Sequence, residues 1–297
     1  GVARGFHVTC RAFTRPGDGV LVQTPVYPPI LTAHAQAGLI SQEAALTLNR
    51  DGSYSVDLDV FERAITERTR VFLLCNPHNP VGRAFTRDEL QRMAEICLRH
   101  NVLICSDEIH CDIVYPPHKH IHIASLCPEI AQNTITLMSP SKTYNIPGLK
   151  LAVAVIQNPD VRKTFEALQG PLSGGPNILA VAAATAAYRD SQDWLDQQLA
   201  YLAGNASTLV DYVRTKLPML SIYPPEATFL GWLDCRQAGI PGKPYHFFLE
   251  KARVAFMDGG AFGGDGQGFV RVNFGCTRAT LIEALERVRR ALATLKS

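Results

Sequence analysis

Thr134-Ile135-Thr136-Leu137-Met138-Ser139-Pro140-Ser141-Lys142-Thr143-Tyr144-Asn145-Ile146-Pro147-Gly148-Leu149-Lys150 is an apolar run that empties into hydroxyls, one lysine and a Pro-Gly turn. The first five residues read as a buried strand, and the polar stretch as the loop at its carboxyl end. Lysines usually sit on solvated helix faces, so one placed among hydroxyls at a strand end is unusual. Two readings are open from this stretch alone. It is a surface turn with a solvated ammonium, or it presents an amine that loses its proton readily and forms a Schiff base, with hydroxyls and Lys150 beside it to bind a phosphate.

Working outward, the same pattern recurs. Val20-Leu21-Val22 ends in Thr24-Pro25-Val26-Tyr27-Pro28-Pro29, where the prolines stop a strand and hold Tyr27 on a stiff loop. Arg70-Val71-Phe72-Leu73-Leu74-Cys75 ends in Asn76-Pro77-His78-Asn79-Pro80-Val81-Gly82, and Val102-Leu103-Ile104-Cys105 in Ser106-Asp107-Glu108. Helical spacing separates them, over Phe6 to Phe13, Asp57 to Thr66 and from Thr86, and a second cycle reaches an expected strand at Gly38-Leu39-Ile40. Near-continuous apolar strands alternating with helices predict a parallel sheet covered on both faces, with ligands beyond the carboxyl ends of the strands. Tyr27, Asn79, Asp107 and Lys142 all fall there.

Beyond this, Leu151 to Ile156 reads as a further strand, Asp160 to Gln169 as a helix, and Pro171 to Pro176 as a break that divides the chain, with Ser173 and Gly174 to Pro176 as a linker. A long helical region from Asn177 to about Lys216, interrupted near Asp190, opens the second part. Thr228 to Leu233 and Phe269 to Phe274 read as strands, Tyr245 to Lys251 and Thr280 to Leu295 as helices. The expected organisation is a three-layer αβα large domain over residues 1–172 and a smaller C-terminal α+β domain over 173–297.

With 46% hydrophobic residues in a chain of 297, a large core is available, and collagenous, disordered and disulfide-scaffold classes are excluded. A net charge of +2 from 29 basic and 27 acidic residues, without like-charge runs, leaves no footprint for nucleic acid or an anionic membrane, so a small-molecule partner is expected. The eight cysteines are scattered without a C-x-x-C pair, and several lie in apolar runs where they read as buried core thiols, which fits a reducing cytoplasm. No apolar run of about 18 residues and no signal-peptide pattern is present. The sequence opens at Gly1-Val2-Ala3-Arg4-Gly5, mid-motif in character, which leads us to expect further residues upstream.

A carboxylate, an amide, an aromatic and a lysine at neighbouring strand ends do not suit a metal, but they suit a pyridine ring that needs an anchor, a cation partner and a flat face. In order and spacing, the Tyr27, Asn79, Asp107 and Lys142 motifs and Arg271-Val272-Asn273-Phe274-Gly275-Cys276 resemble the fold-type-I pyridoxal-phosphate enzymes of the class I/II aminotransferase superfamily. Ser106-Asp107-Glu108-Ile109-His110, the His118-Lys119-His120 loop and the Arg271 run look most like its cystathionine β-lyase, or carbon-sulfur lyase, branch. The resemblance implies pyridoxal 5'-phosphate as cofactor and Lys142 as its Schiff-base lysine and the base for the substrate's Cα proton. It implies Asp107 on the pyridinium nitrogen, Asn79 and His110 on the phenolate oxygen, and Tyr27 on the ring face. Ser139, Ser141, Lys150 and the backbone amides of Gly1, Val2 and Ala3 would hold the phosphate, and Arg271 the substrate carboxylate. It further implies a homodimer and a leading segment before Gly1; for a chain without one, weak or no activity is expected. The expected activity is cleavage of cystathionine or related cysteine conjugates to pyruvate, ammonia and a thiol. The alternatives are an aminotransferase or a truncated cofactor-binding protein of low activity. His118, His120 and His122 are read as a solvated loop rather than a metal site, because no carboxylate or cysteine stands at ligand spacing.

Overall fold

The computed structural model describes residues 1–173 and 175–295. Its main sheet contains β1 (Gly19–Thr24), β2 (Ile40–Ala45), β5 (Thr69–Cys75), β6 (Leu103–Asp107), β7 (Thr134–Met138) and β8 (Val153–Ile156); a two-stranded ribbon of β3 (Thr47–Leu48) and β4 (Tyr54–Ser55) lies between β2 and β5 in the chain. The strand order is β2-β1-β5-β6-β7-β8, with all pairings parallel except that of β7 with β8. Strands β1 and β6 are buried along their whole length, as continuous apolar runs require when helices cover both faces.

The helices of this part are α1 (Val2–Phe13), α2 (Pro28–Leu31), α3 (Leu58–Arg63), α4 (Arg87–Arg99), α5 (Pro128–Gln132), α6 (Pro140–Thr143) and α7 (Pro159–Ser173). One face of the sheet packs with α4 around Phe61, Phe72, Leu90 and Met93, and the other with α1 around Phe6, Val8, Val22 and Leu73. Local chemistry fixes the helix starts. Asp57 accepts from the backbone N–H groups of Asp59 and Val60, and Thr86 with Glu89 closes a reciprocal capping box on α4.

The second part begins with α8 (Ile178–Asp190) and α9 (Gln192–Lys216), the interruption falling at Ser191 as the sequence predicts near Asp190. A four-stranded antiparallel sheet of order β11-β12-β10-β9 follows, from β9 (Ser221–Ile222), β10 (Leu230–Asp234), β11 (Met257–Asp258) and β12 (Phe269–Asn273), with α10 (Pro244–Phe247) and α11 (Arg278–Ala293). α9 and α11 cover one face of it through Leu209, Val213, Leu285 and Val288. From its other face Trp232 and Phe269, stacked at 5.1 Å, enter the core of the main sheet, where the Trp232 indole donates to the Tyr54 hydroxyl at 3.1 Å.

Several expectations shift. The strand expected at Gly38 to Ile40 runs over Ile40–Ala45 instead, because an edge strand is largely exposed and carries no continuous apolar signal. α3 stops at Arg63 rather than Thr66, and α7 continues past Pro171 to Ser173. Of the expected linker, Gly174 lies outside the described residues. The helix expected over Tyr245 to Lys251 divides into α10 and a π-turn at Phe248–Ala252.

Candidate active site

Register brings the chemistry together. Cys75 pairs with Asp107, and Asp107 with Leu137, so β5, β6 and β7 end side by side and deliver Asn79, Asp107 and Lys142 within a few residues of their last paired positions. At the β7 end, Ser139 has extended backbone and accepts from the Ser141 N–H at 3.1 Å, while Pro140 occupies the first helical position. Ser as cap and Pro at the first turn start a helix even of four residues, and α6 holds Lys142 on its last turn. Thr143 donates to Asp112 at 2.8 Å, which fastens that turn.

The charged groups feel one another. Asp107 is buried at the end of β6 and its carboxylate accepts from the Ile109 N–H at 3.1 Å. Burial pushes its carboxyl up to about 7; the Glu108 charge adds to this, and Lys142 opposes it. Burial lowers the Lys142 amine from its usual value, the Arg271 cation lowers it further, and Asp107 works the other way. Burial raises the half-buried Tyr27 phenol, helped by Asp107 and opposed by Arg271. His110 is held down to about 3 by burial, then by Lys142 and Arg271, so it is a neutral imidazole at pH 7.

Arg271, inside β12, crosses from the second sheet to this cluster. Its guanidinium donates to Asn79 Oδ1 at 2.9 Å, lies 5.0 Å over the Phe262 ring, and leaves Nε buried without a partner. On the phosphate side, Ser139 Oγ lies 2.7 Å from Ser141 Oγ and 2.6 Å from the Leu151 carbonyl. The Gly1 amine donates to the Lys150 carbonyl at 2.9 Å, and Gly1 caps α1 with Val2 and Ala3 in its first turn. Gly1, Val2, Pro140 and Lys150 line one groove of about 840 Å³. The structure thus gathers Tyr27, Asn79, Asp107, His110, Lys142 and Arg271 at one junction, with Ser139, Ser141, Lys150 and Gly1 to Ala3 along its margin.

Two features were missed in the sequence. Phe229 stands between the ring of His110, at 5.4 Å, and the Lys142 amine, at 5.9 Å from its ring centroid. It is aimed by Thr228, a buried β-branched residue with φ of 68°, a conformation that costs of order 1–3 kcal/mol and so occurs where surroundings impose it. An alternating strand pattern carries no signal for that. A cavity of about 240 Å³ opens beyond Lys142 and Phe229, lined also by Asn145, Trp194, Leu199 and Asn273. The second feature corrects the reading of the histidine loop. His120 has a side chain only 6% exposed and bonds at 2.9 Å to Glu108, which is fully buried; the loop is not simply solvated. The carboxylate comes from twelve residues upstream, which local ligand spacing does not display.

These residues fit a pyridoxal-phosphate ring. Asp107 is a buried carboxylate with no ion pair among the described residues, and a pyridinium would supply the missing cation. His110 Nδ1 is buried without a hydrogen-bond partner, which a phenolate oxygen would supply.

An open lysine at the carboxyl ends of a mostly parallel sheet, with a buried carboxylate beside it, defines the fold-type-I class of pyridoxal-phosphate enzymes. Residues 1–288 match the family described as aminotransferase class I and II, and the chain belongs to it. It is 38% identical to the cystathionine β-lyase PatB of Bacillus subtilis over 99% of this chain and 76% of that protein. The crystal structure of cystalysin from Treponema denticola, which contains a pyridoxal 5'-phosphate cofactor, superposes with a TM-score of 0.96 at 34% identity, covering 99% of this chain and 75% of that one. That of OvoB superposes with a TM-score of 0.93 at 44% identity, over 99% and 76%. The chain is an enzyme of this family, similar to its cystathionine β-lyase branch.

Proposed function

We propose that the protein is a pyridoxal-phosphate-dependent carbon-sulfur β-lyase that cleaves cystathionine or a related cysteine conjugate to a thiol, pyruvate and ammonia. The observation that carries the reading is the placement of Lys142 and the buried Asp107 at adjoining strand ends of the main sheet, with Arg271 reaching from the second sheet to Asn79 beside them. The 38% identity to a cystathionine β-lyase supports the choice of reaction.

When bound, pyridoxal phosphate supplies a cationic ring that takes up the electron pair left as the Cα–H bond breaks. Lys142 would anchor its aldehyde and, with its amine free, would take the substrate's Cα proton on Nζ. Burial and then the Arg271 cation lower the basicity of that amine, which favours its neutral form relative to an ordinary lysine. Asp107 holds the ring nitrogen's positive charge, and Asn79 and His110 hold the phenolate oxygen. Tyr27 covers the ring face. Ser139, Ser141, Lys150 and the amides of Gly1, Val2 and Ala3 hold the phosphate, an anion suited to the start of a twelve-residue helix. Arg271 grips the substrate carboxylate and orients the Cα–H bond for cleavage.

We place the division between the two parts at residues 172/173, in the last turn of α7, supported by the separate core around α9 and α11. A cytoplasmic homodimer is the expected assembly; the eight cysteines are all free, as a reducing compartment favours. Among the described residues no helix is long and apolar enough to cross a membrane.

The test is to supply cystathionine and pyridoxal phosphate and to assay pyruvate and free thiol against keto-acid exchange. Stoichiometric thiol and pyruvate support the lyase. Keto-acid exchange without thiol would make the protein an aminotransferase, which the same residues serve equally well.

A further inference from the structure

We infer that Glu108, His120 and His122 form a binding site for a transition-metal dication of the zinc type, built on the residue that follows Asp107 and on none of the residues assigned to the cofactor. One ligand atom from each lies within 4.8 Å of the other two. Glu108 is fully buried; its Oε1 accepts from the Ser106 hydroxyl at 2.9 Å, and its Oε2 takes both imidazoles, from His120 Nε2 at 2.9 Å and from His122 Nδ1. Two imidazole nitrogens converging on one carboxylate oxygen is more than a clamp for the loop needs, since either alone would tie residues 118–122 to the end of β6. Two imidazoles and a carboxylate with an open fourth position is a donor set that suits zinc. Tetrahedral ligands at zinc distances stand about 3.4 Å apart, so the His120–Glu108 pair opens by roughly half an ångström and the closer His122–Glu108 pair by about twice that to admit the ion.

Entry is from the His122 side. Its side chain is 45% exposed, against 6% for His120 and none for Glu108, so the site is walled on one side and open on the other. The frame is already fixed. Asn76, at the end of β5, donates to the Ile121 carbonyl at 3.3 Å between the two histidines and accepts from the Phe85 N–H at 3.1 Å. One support is missing, because His120 Nδ1 is buried with no partner among the described residues. Ligating histidines usually donate that N–H, and losing such a partner weakens a site about 10–100-fold, so the affinity is expected to fall below that of a fully supported zinc site by that factor.

The test is to strip the protein with a chelator and titrate it with zinc chloride in competition with a chromogenic indicator, then repeat with cobalt chloride. One equivalent of zinc is expected, with affinity falling at least tenfold in His122→Ala, whose exposed position leaves folding intact, and in His120→Ala. Cobalt is expected to show ligand-field bands without a thiolate charge-transfer band, which separates this site from the eight cysteines. No zinc bound by the unaltered protein, unchanged affinity in His122→Ala, or a thiolate band that persists in it would each overturn the assignment.

Discussion

Arg271→Lys tests whether the guanidinium between the two sheets is a carboxylate receptor. In the structure one of its nitrogens donates to Asn79 Oδ1 at 2.9 Å and another to the weak acceptor Met257 Sδ, the plane lies over Phe262, and Nε is buried without a partner. A lysine ammonium at this position keeps the charge but cannot hold Asn79 and a carboxylate together in one plane. It forfeits one charge-assisted bond, worth about 1.5–3 kcal/mol, so kcat/KM should fall about 10- to 150-fold. Most of that loss should enter through KM, because the carboxylate is held before and during the reaction alike. The assay is pyruvate release from cystathionine over a substrate series, beside thermal unfolding to confirm that the fold is kept. As an internal control, the affinity for a substrate analogue lacking the α-carboxylate should not change. A KM within twofold of the unaltered protein, or an equal loss of affinity for the control analogue, would refute the receptor role.

Other outcomes follow from the packing. Glu89 receives the Arg83 guanidinium at 2.7 and 3.0 Å; burial raises its carboxyl, but the Arg83 and Thr86 bonds outweigh this and leave it below 4.5. A depressed folded value means stability present above the unfolded value and lost as pH falls through the folded one, so Glu89→Gln should cost about 1–3 kcal/mol at pH 7. In urea melts that cost should begin to shrink as pH falls below the unfolded value of 4.5 and should approach zero only once pH is below the depressed folded value. Asn205, fully buried on α9, donates to the Phe274 and Cys276 carbonyls at 3.0 and 2.8 Å and accepts from Arg278. Asn205→Ala orphans these groups and should cost about 2–4 kcal/mol in urea melts; a loss under 1 kcal/mol would show that they find other partners.

The parts of the fold legible in the sequence are those where one physical signal dominates. Buried strands such as Leu103–Asp107 announce themselves by continuous apolarity, and the caps at Asp57 and Thr86 by side chains that can take helix N–H groups. The strand ends followed from these, and with them Asn79, Asp107 and Lys142. Edge strand β2 was displaced because exposed residues alternate weakly. Phe229 and the Glu108 pairing were not legible, since both depend on groups far apart in the chain meeting in space. His110 and Phe229 are joined by the approach of the second sheet, and Glu108 meets His120 through a loop that folds back on β6.

The central claim is that Lys142 carries the cofactor. The direct measurement is to incubate the protein with pyridoxal phosphate, reduce with borohydride, digest, and locate the modified lysine by mass spectrometry. The account predicts a single pyridoxyl adduct on Lys142 with loss of the visible absorption band, and no adduct in Lys142→Ala. An adduct on another lysine of the unaltered protein, or an adduct that persists in Lys142→Ala, would contradict it.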